Sequence, residues 1–163
     1  KSPISGGSIV LYFSSNKRNK SKKLKNLEIF EKNKKLNTLS TLKTFGDKSR
    51  KHRDNLVKIM NSVKGNVYGY GASARSSTLL NFAKFNHNKL KFIMDKNKLK
   101  NGFFTPGTKI KIVKFNKNKI PKSSNIIILA WNFRKEIINQ FDKTSKHKFI
   151  IPLPRKPKIY EIQ

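Results

Sequence analysis

Apolar positions are unevenly patterned along the chain, and the clearest rhythm begins after residue 65. Short apolar runs recur between polar stretches: VYGY at 67–70, LKFIMD at 90–95, KIKIV at 109–113, IIILAW at 126–131 and KFIIP at 148–152. Strands covered on both faces need runs of this kind, so the pattern predicts buried parallel strands. Helices fit between them at 74–85 and at 133–141, where Ile137, Ile138 and Phe141 share a face. Strands alternating with helices predict the α/β class, an open and mostly parallel sheet with flanking helices and right-handed crossovers.

Upstream the periodicity is weaker. At 49–63 the positions Leu56, Ile59, Met60 and Val63 mark one helical face, with Ser49 as the expected N-cap and Gly65 as a C-terminal stop. Residues 16–35 are rich in Lys and Asn; Leu24, Leu27 and Phe30 recur every third position, and Glu28/Lys32 and Glu31/Lys35 form i,i+4 pairs, so a marginal helix is expected. SIVLYF at 8–13 follows a Gly-Gly turn and reads as a first strand. The expected organisation is one domain over 1–163, with an opening strand in 1–14, a Lys/Asn-rich helical or linker segment over 15–48 and a core over 49–163.

Composition changes this picture in three ways. With no Cys and three scattered His (His52, His87, His147), neither a disulfide framework nor a metal centre is expected. The longest apolar run is far below the roughly 20 residues of a bilayer span, and no apolar signal region opens the chain, so it reads as soluble, cytoplasmic and without a membrane partner. The absence of an initiator Met and the start at KSPISGGS suggest a fragment of something longer.

The formal charge of +30 suggests a polyanion partner. Yet the basic residues are 32 Lys against 6 Arg, beside 18 Asn, whereas base-reading surfaces lean on the bidentate fork of Arg. Lys, Asn and Ile share A/T-rich codons, so genome bias also accounts for the excess, and only non-specific nucleic-acid binding is expected. Oligomeric state leaves no signal in the sequence.

In an open α/β sheet, ligands bind beyond the carboxyl ends of the strands. After VYGY comes a Gly-x-Gly-x-x-Ala turn. Gly69 is expected to make the tight turn, Gly71 to let backbone approach a phosphate, and Ala74 to let the helix pack closely. Tyr70 lies between the glycines; hydroxyls of Ser73, Ser76 and Ser77 and the charge of Arg75 supplement the helix N-terminus, and together these suit a diphosphate. Asp95 follows Gly69 by 26 residues at a strand end, where a dinucleotide fold places its ribose-binding carboxylate. Thr105, Pro106, Gly107 and Thr108 form a turn expected in the loop beyond that strand; Trp131 and Asn132 follow the next one, and Glu136 complements the following helix dipole. The same residues would serve an NAD-type oxidoreductase domain. A nucleic-acid-binding protein using the Lys surface is the other alternative.

Four phrases, GYGASARSSTLLNF, FTPGT, LAWNFRKEI and FIIPLP, together resemble the C-terminal domain of S-adenosylmethionine-dependent sugar C-methyltransferases. The resemblance runs from about residue 2 to residue 154 and is specific in order and spacing from Val67 onward. It implies a Rossmann-like domain that holds a nucleotide-sugar and presents a keto-sugar to the methyl donor. It places Gly71, Ser73 and Arg75 near the diphosphate, and Thr105–Thr108 with Trp131 and Asn132 at the nucleotide and sugar. A zinc-bearing region and the S-adenosylmethionine-binding domain would precede this chain, which itself binds no cofactor. The implied chemistry is deprotonation beside a ketone followed by attack of the carbanion on the methyl group, which requires a base. The family often carries that base as a His before Gly-Gly-Ser; Ser5 stands here, and its hydroxyl cannot accept a proton near neutral pH unaided. Lys109 likewise stands where a His often follows PGT. The isolated chain is therefore expected to bind substrate without turning it over, and Gly71→Val is expected to block the phosphate.

Overall fold

The computed structural model describes residues 8–162. The chain divides into two compact units, Lys1–Arg50 and Lys51–Gln163.

In the first unit, α1 (Lys22–Asn33) starts where Ser21 accepts the Leu24 N–H, and none of its residues is buried. Its apolar side chains recur every three residues, short of the 3.6 that would align them into one face. Glu28 takes its ion pair from Lys20, at 2.6 Å, across the helix start. The strand expected at 8–13 is not formed. Ser8 makes a lone bridge, and Ile9, Val10, Leu11, Tyr12 and Phe13 are exposed outside any strand. High β-propensity holds an extended segment only against a neighbouring edge, and residues 9–13 pair with none.

The second helix, α2 (Leu39–Ser62), begins ten residues before the expected cap at Ser49. Thr38 starts it, its Oγ1 accepting the Thr41 N–H at 3.4 Å. Ser49 lies mid-helix, where its hydroxyl donates to the Phe45 carbonyl at 2.9 Å.

Lys51–Gln163 contains the sheet. Its strands are β1 (Val67–Tyr70), β2 (Ile93–Asp95), β3 (Ile112–Lys114), β4 (Asn125–Ile128), β5 (Lys148–Ile151) and β6 (Lys158–Glu161). The spatial order is β3-β2-β1-β4-β5-β6, parallel except for β6, which pairs antiparallel with β5. This is the strand order of dinucleotide-binding folds, and it confirms the α/β expectation. The edge strand β6 escaped the sequence reading because all four of its residues are exposed and carry no buried-strand pattern.

Alternation along each strand sends side chains to two cores. Val67, Ile93, Ile127 and Leu129 face α2 and α3 (Ala74–Ala83), packing with Leu56, Met60, Leu79 and Leu80. Tyr68, Tyr70, Met94, Ile126 and Ile128 face the opposite layer, with Phe141, Phe149 and Ile137 of α4 (Arg134–Ile138). The strands are shorter than their apolar runs. β4 stops at Ile128 because the N–H groups of Leu129 and Ala130 both converge on the Tyr70 carbonyl, at 2.9 and 3.1 Å, turning the chain out of the sheet. Trp131 therefore starts a 3₁₀ turn instead of ending a strand.

Candidate functional site

The strand order reverses between β1 and β4: the chain leaves β1 toward β2 on one side and β4 toward β5 on the other. Connections that diverge in this way leave a crevice at the carboxyl ends of the two central strands. A cavity of about 320 Å³ occupies it, at the small end of the range for ligand sites. Its polar walls are Tyr70, Asp95, Lys96, Glu136 and Gln140, with Phe133 at the mouth and Gly71 and Ala130 on the floor.

Tyr70 ends β1 with its ring against both Phe115 and Phe141, at centroid distances of 5.3 and 6.4 Å, the three rings forming one mutually contacting cluster. Its hydroxyl donates to Gln140 Oε1 at 2.9 Å. Burial raises the phenol pKa, and the charge of Asp95 adds to the shift. Tyr70 is therefore a neutral donor near neutral pH and cannot serve there as a phenolate base.

Asp95 ends β2, as the sequence suggested, with its carboxylate turned onto the protein. Oδ2 accepts the Ala72 N–H at 2.8 Å and pairs with Lys100 Nζ at 3.2 Å; Oδ1 accepts the Asn97 N–H at 2.8 Å. Lys100 also donates to the Ala72 carbonyl at 2.6 Å. One carboxylate thus fixes the loop after β1 to the loop after β2.

The turn that opens α3 is equally engaged. Ser73 is the N-cap and Ser76 sits at N3, each hydroxyl accepting the other's backbone N–H, at 3.2 Å for Ser76 N and 2.6 Å for Ser73 N. Ser76 is fully buried. The Gly71 N–H donates to the Met94 carbonyl at 2.8 Å. Ser73 and Ser76 hold the helix start in place, and Arg75 is exposed beside them.

The two glycines have packing reasons as well. Gly69 lies inside β1 and makes no turn; a Cβ there would stand 2.7 Å from Ile93 Cγ1 and 3.2 Å from Leu90 and Leu129. Gly71 makes the turn, at φ +97°, and a Cβ on it would stand 2.6 Å from that of Ala130. Gly71→Val would therefore drive β1 and β4 apart whether or not a phosphate binds, so it is not a clean probe of ligand contact.

The structure does not bring residues 105–109 to this edge. Residues 102–105 run antiparallel to residues 110–112: Phe104 bridges Lys111, and the Gly102 N–H meets the Ile112 carbonyl at 3.0 Å. The hairpin turn between them points toward the amino ends of the strands. There Asn81, near the end of α3, donates to the Pro106 carbonyl at 3.0 Å. Eight residues of helix separate Asn81 from Ser73, or about 12 Å at 1.5 Å per residue. Thr105 and Thr108 are buried and hydrogen-bonded to each other at 2.6 Å, and Lys109 follows Gly107 in left-handed backbone, at φ +52°.

Trp131 packs partly buried against the α2/α3 core, and Asn132 is exposed on the 3₁₀ turn. The N-cap of α4 is Phe133, with no side-chain cap bond, so Asn132 does not cap that helix. Ser5 lies outside the described residues. The sequence reading missed Lys96, Phe133 and Gln140 as wall residues, and assigned Glu136 only to the helix dipole. Their signal was spacing: positions 133, 136 and 140 fall on one side of a helical turn that starts at the carboxyl edge of β4. Among the described residues no cluster of His, Asp or Glu could hold a metal, and no helix is long and apolar enough to cross a membrane.

Comparison with known proteins gives two findings. The family described as C-methyltransferase C-terminal domain matches residues 3–154. The C-methyltransferase NovU of Streptomyces niveus is 29% identical over 110 residues, covering 66% of this chain and 26% of the relative. The chain thus aligns with about a quarter of that protein's length.

Proposed function

From the premise that this chain belongs to the C-methyltransferase C-terminal domain family, we propose that it is the substrate-holding part of an S-adenosylmethionine-dependent C-methyltransferase acting on a nucleotide-linked keto-sugar. Membership supports a transferase at the level of the family. Nucleotide-sugar binding here, and methyl-donor binding by a domain outside these residues, belong to the proposal.

The observation that carries it is the chemistry of the crevice between β1 and β4. Carboxylates accept hydrogen bonds, and the Tyr70 hydroxyl and Gln140 amide offer both roles. A wall with Glu136, Tyr70 and Gln140 around a rim aromatic, Phe133, matches the many hydroxyls and partly apolar ring faces of a sugar. Deprotonation next to the ketone still needs a base. Neutral Tyr70 does not supply it, and the resemblance places it near residue 5 in relatives that carry His.

Calorimetry with thymidine diphosphate glucose as probe, at about 0.15 M salt to screen diffuse attraction, tests the reading. Saturable binding that weakens about tenfold in Glu136→Ala, through a lost hydrogen bond to a charged acceptor, is the expected result. Tighter binding of NAD would favour an oxidoreductase domain. If only a DNA duplex bound, and Glu136→Ala bound it equally, the proposal would be wrong and the basic surface would be the working part.

A further inference from the structure

A second cavity, of about 550 Å³, opens beyond the carboxyl end of β3 and shares Gln140 with the crevice. Its walls are the loop at residues 114–119, contributing Lys114, Lys117 and Lys119 with Asn116 and Asn118, around the half-buried Phe115. We infer that the phosphates of the bound ligand lie in this lysine-walled cavity, with the sugar in the crevice, and not at the turn over residues 71–75 where the glycine motif pointed. The inference rests on the reading above and assigns an orientation to its ligand.

Three observations carry it. Three backbone donors at the glycine turn are already taken: Gly71 N–H by Met94, Ala72 N–H by Asp95 and Ser73 N–H by Ser76. The crevice wall adds Glu136, whose charge disfavours an anion. The adjoining cavity has the opposite sign, since no acidic residue lines it. Asp142, whose carboxyl pKa is lowered chiefly by its Thr144 hydrogen bonds and slightly by Lys117, is the acidic group felt there, and it is not part of the wall.

The loop is also held in shape without a ligand. Asn116 Oδ1 accepts the Asn118 N–H at 2.9 Å, and Asn101 Oδ1 accepts the Lys114 N–H at 2.8 Å. Phe115 anchors it beneath, with Tyr70 at 5.3 Å and Phe141 at 6.2 Å. Lys96, a wall of the crevice, stands 5.9 Å above the same ring, so its cation lies between the two cavities. Lysines on a fixed loop suit phosphates as point charges whose flexible stems adapt to the anion.

The test compares two charge-matched double variants of the 163-residue chain: Lys117→Gln with Lys119→Gln in the loop, and Lys22→Gln with Lys25→Gln on α1. Each is titrated with inorganic pyrophosphate and with thymidine diphosphate glucose, beside Glu136→Ala. All four lysines are exposed, so thermal melts are expected to match the wild type. Expected is a loss of about tenfold or more for both probes in the loop double, in line with lost charge-assisted bonds, and little change in the α1 double. Glu136→Ala should weaken only the sugar-bearing probe. Equal losses in the two doubles, or none in either, would overturn the inference while sugar-nucleotide binding by the wild type kept the crevice reading. Failure of the wild type to bind thymidine diphosphate glucose would overturn both.

Discussion

Asp95 Oδ2 accepts the Ala72 N–H at 2.8 Å, tying the loop that leaves β1 to the end of β2. In a dinucleotide fold the carboxylate at this strand end faces a ribose. Here it holds the protein's own backbone together with Lys100, and its first duty is to shape the crevice floor.

Asp95→Ala should therefore loosen the turn even without ligand. An amide left buried without its acceptor costs about 1–3 kcal/mol, so the unfolding free energy from urea titration should fall by that amount. Hydrogen exchange at Ala72 should be faster in the variant than in the wild type. An unchanged Ala72 rate in the variant would show that the carboxylate does not hold this turn.

The placement of residues 105–109 yields a second expectation. Gly107 has φ +78°, and a Cβ on it would run into the Asn81 amide, which donates to the Pro106 carbonyl at 3.0 Å. Gly107→Ala should destabilise the chain by about 1–3 kcal/mol through strain at that position. Because the turn sits at the far end of α3 from the crevice, binding of thymidine diphosphate glucose at low temperature should be unchanged. A selective loss of affinity in a variant that melts like the wild type would return this turn to the ligand site.

These cases show what the sequence could disclose. Parallel strands were legible most clearly at the centre of the sheet, where β1 and β4 are buried along their whole length, which demands apolar runs such as residues 126–129. The ends of those strands were not, since hydrogen bonds from Leu129 and Ala130 to Tyr70 stop β4 before its apolar run stops. Gly69 was expected to make the tight turn but lies inside β1, whereas Gly71 makes it, and neither position has room for a side chain. What excludes one is Ile93 and Ala130, and packing partners distant in sequence cannot be read from a local motif. Folding back of residues 102–112 escaped for the same reason, so Thr105 and Asp95 looked closer in space than they are.

His147 supplies the pH dependence. It is buried, with its ring edge-on to Phe141 at 5.4 Å and to Phe149 at 6.4 Å, and among the described residues its Nδ1 has no hydrogen-bond partner. Burial lowers its pKa from 6.5, and a backbone hydrogen bond with Ser124 opposes the shift. The folded chain thus keeps His147 neutral at pH values where the unfolded chain has already bound a proton. Where the unfolded state holds more protons, stability rises with pH. Its contribution is accordingly full above 6.5 and is lost as pH falls through 6.5 toward the depressed folded value. Urea midpoints should drop between about pH 7.5 and pH 5.5, and His147→Phe, which keeps an aromatic ring against Phe141 and removes the titrating group, should flatten that slope. An equally steep slope in the variant would assign the pH dependence to other groups.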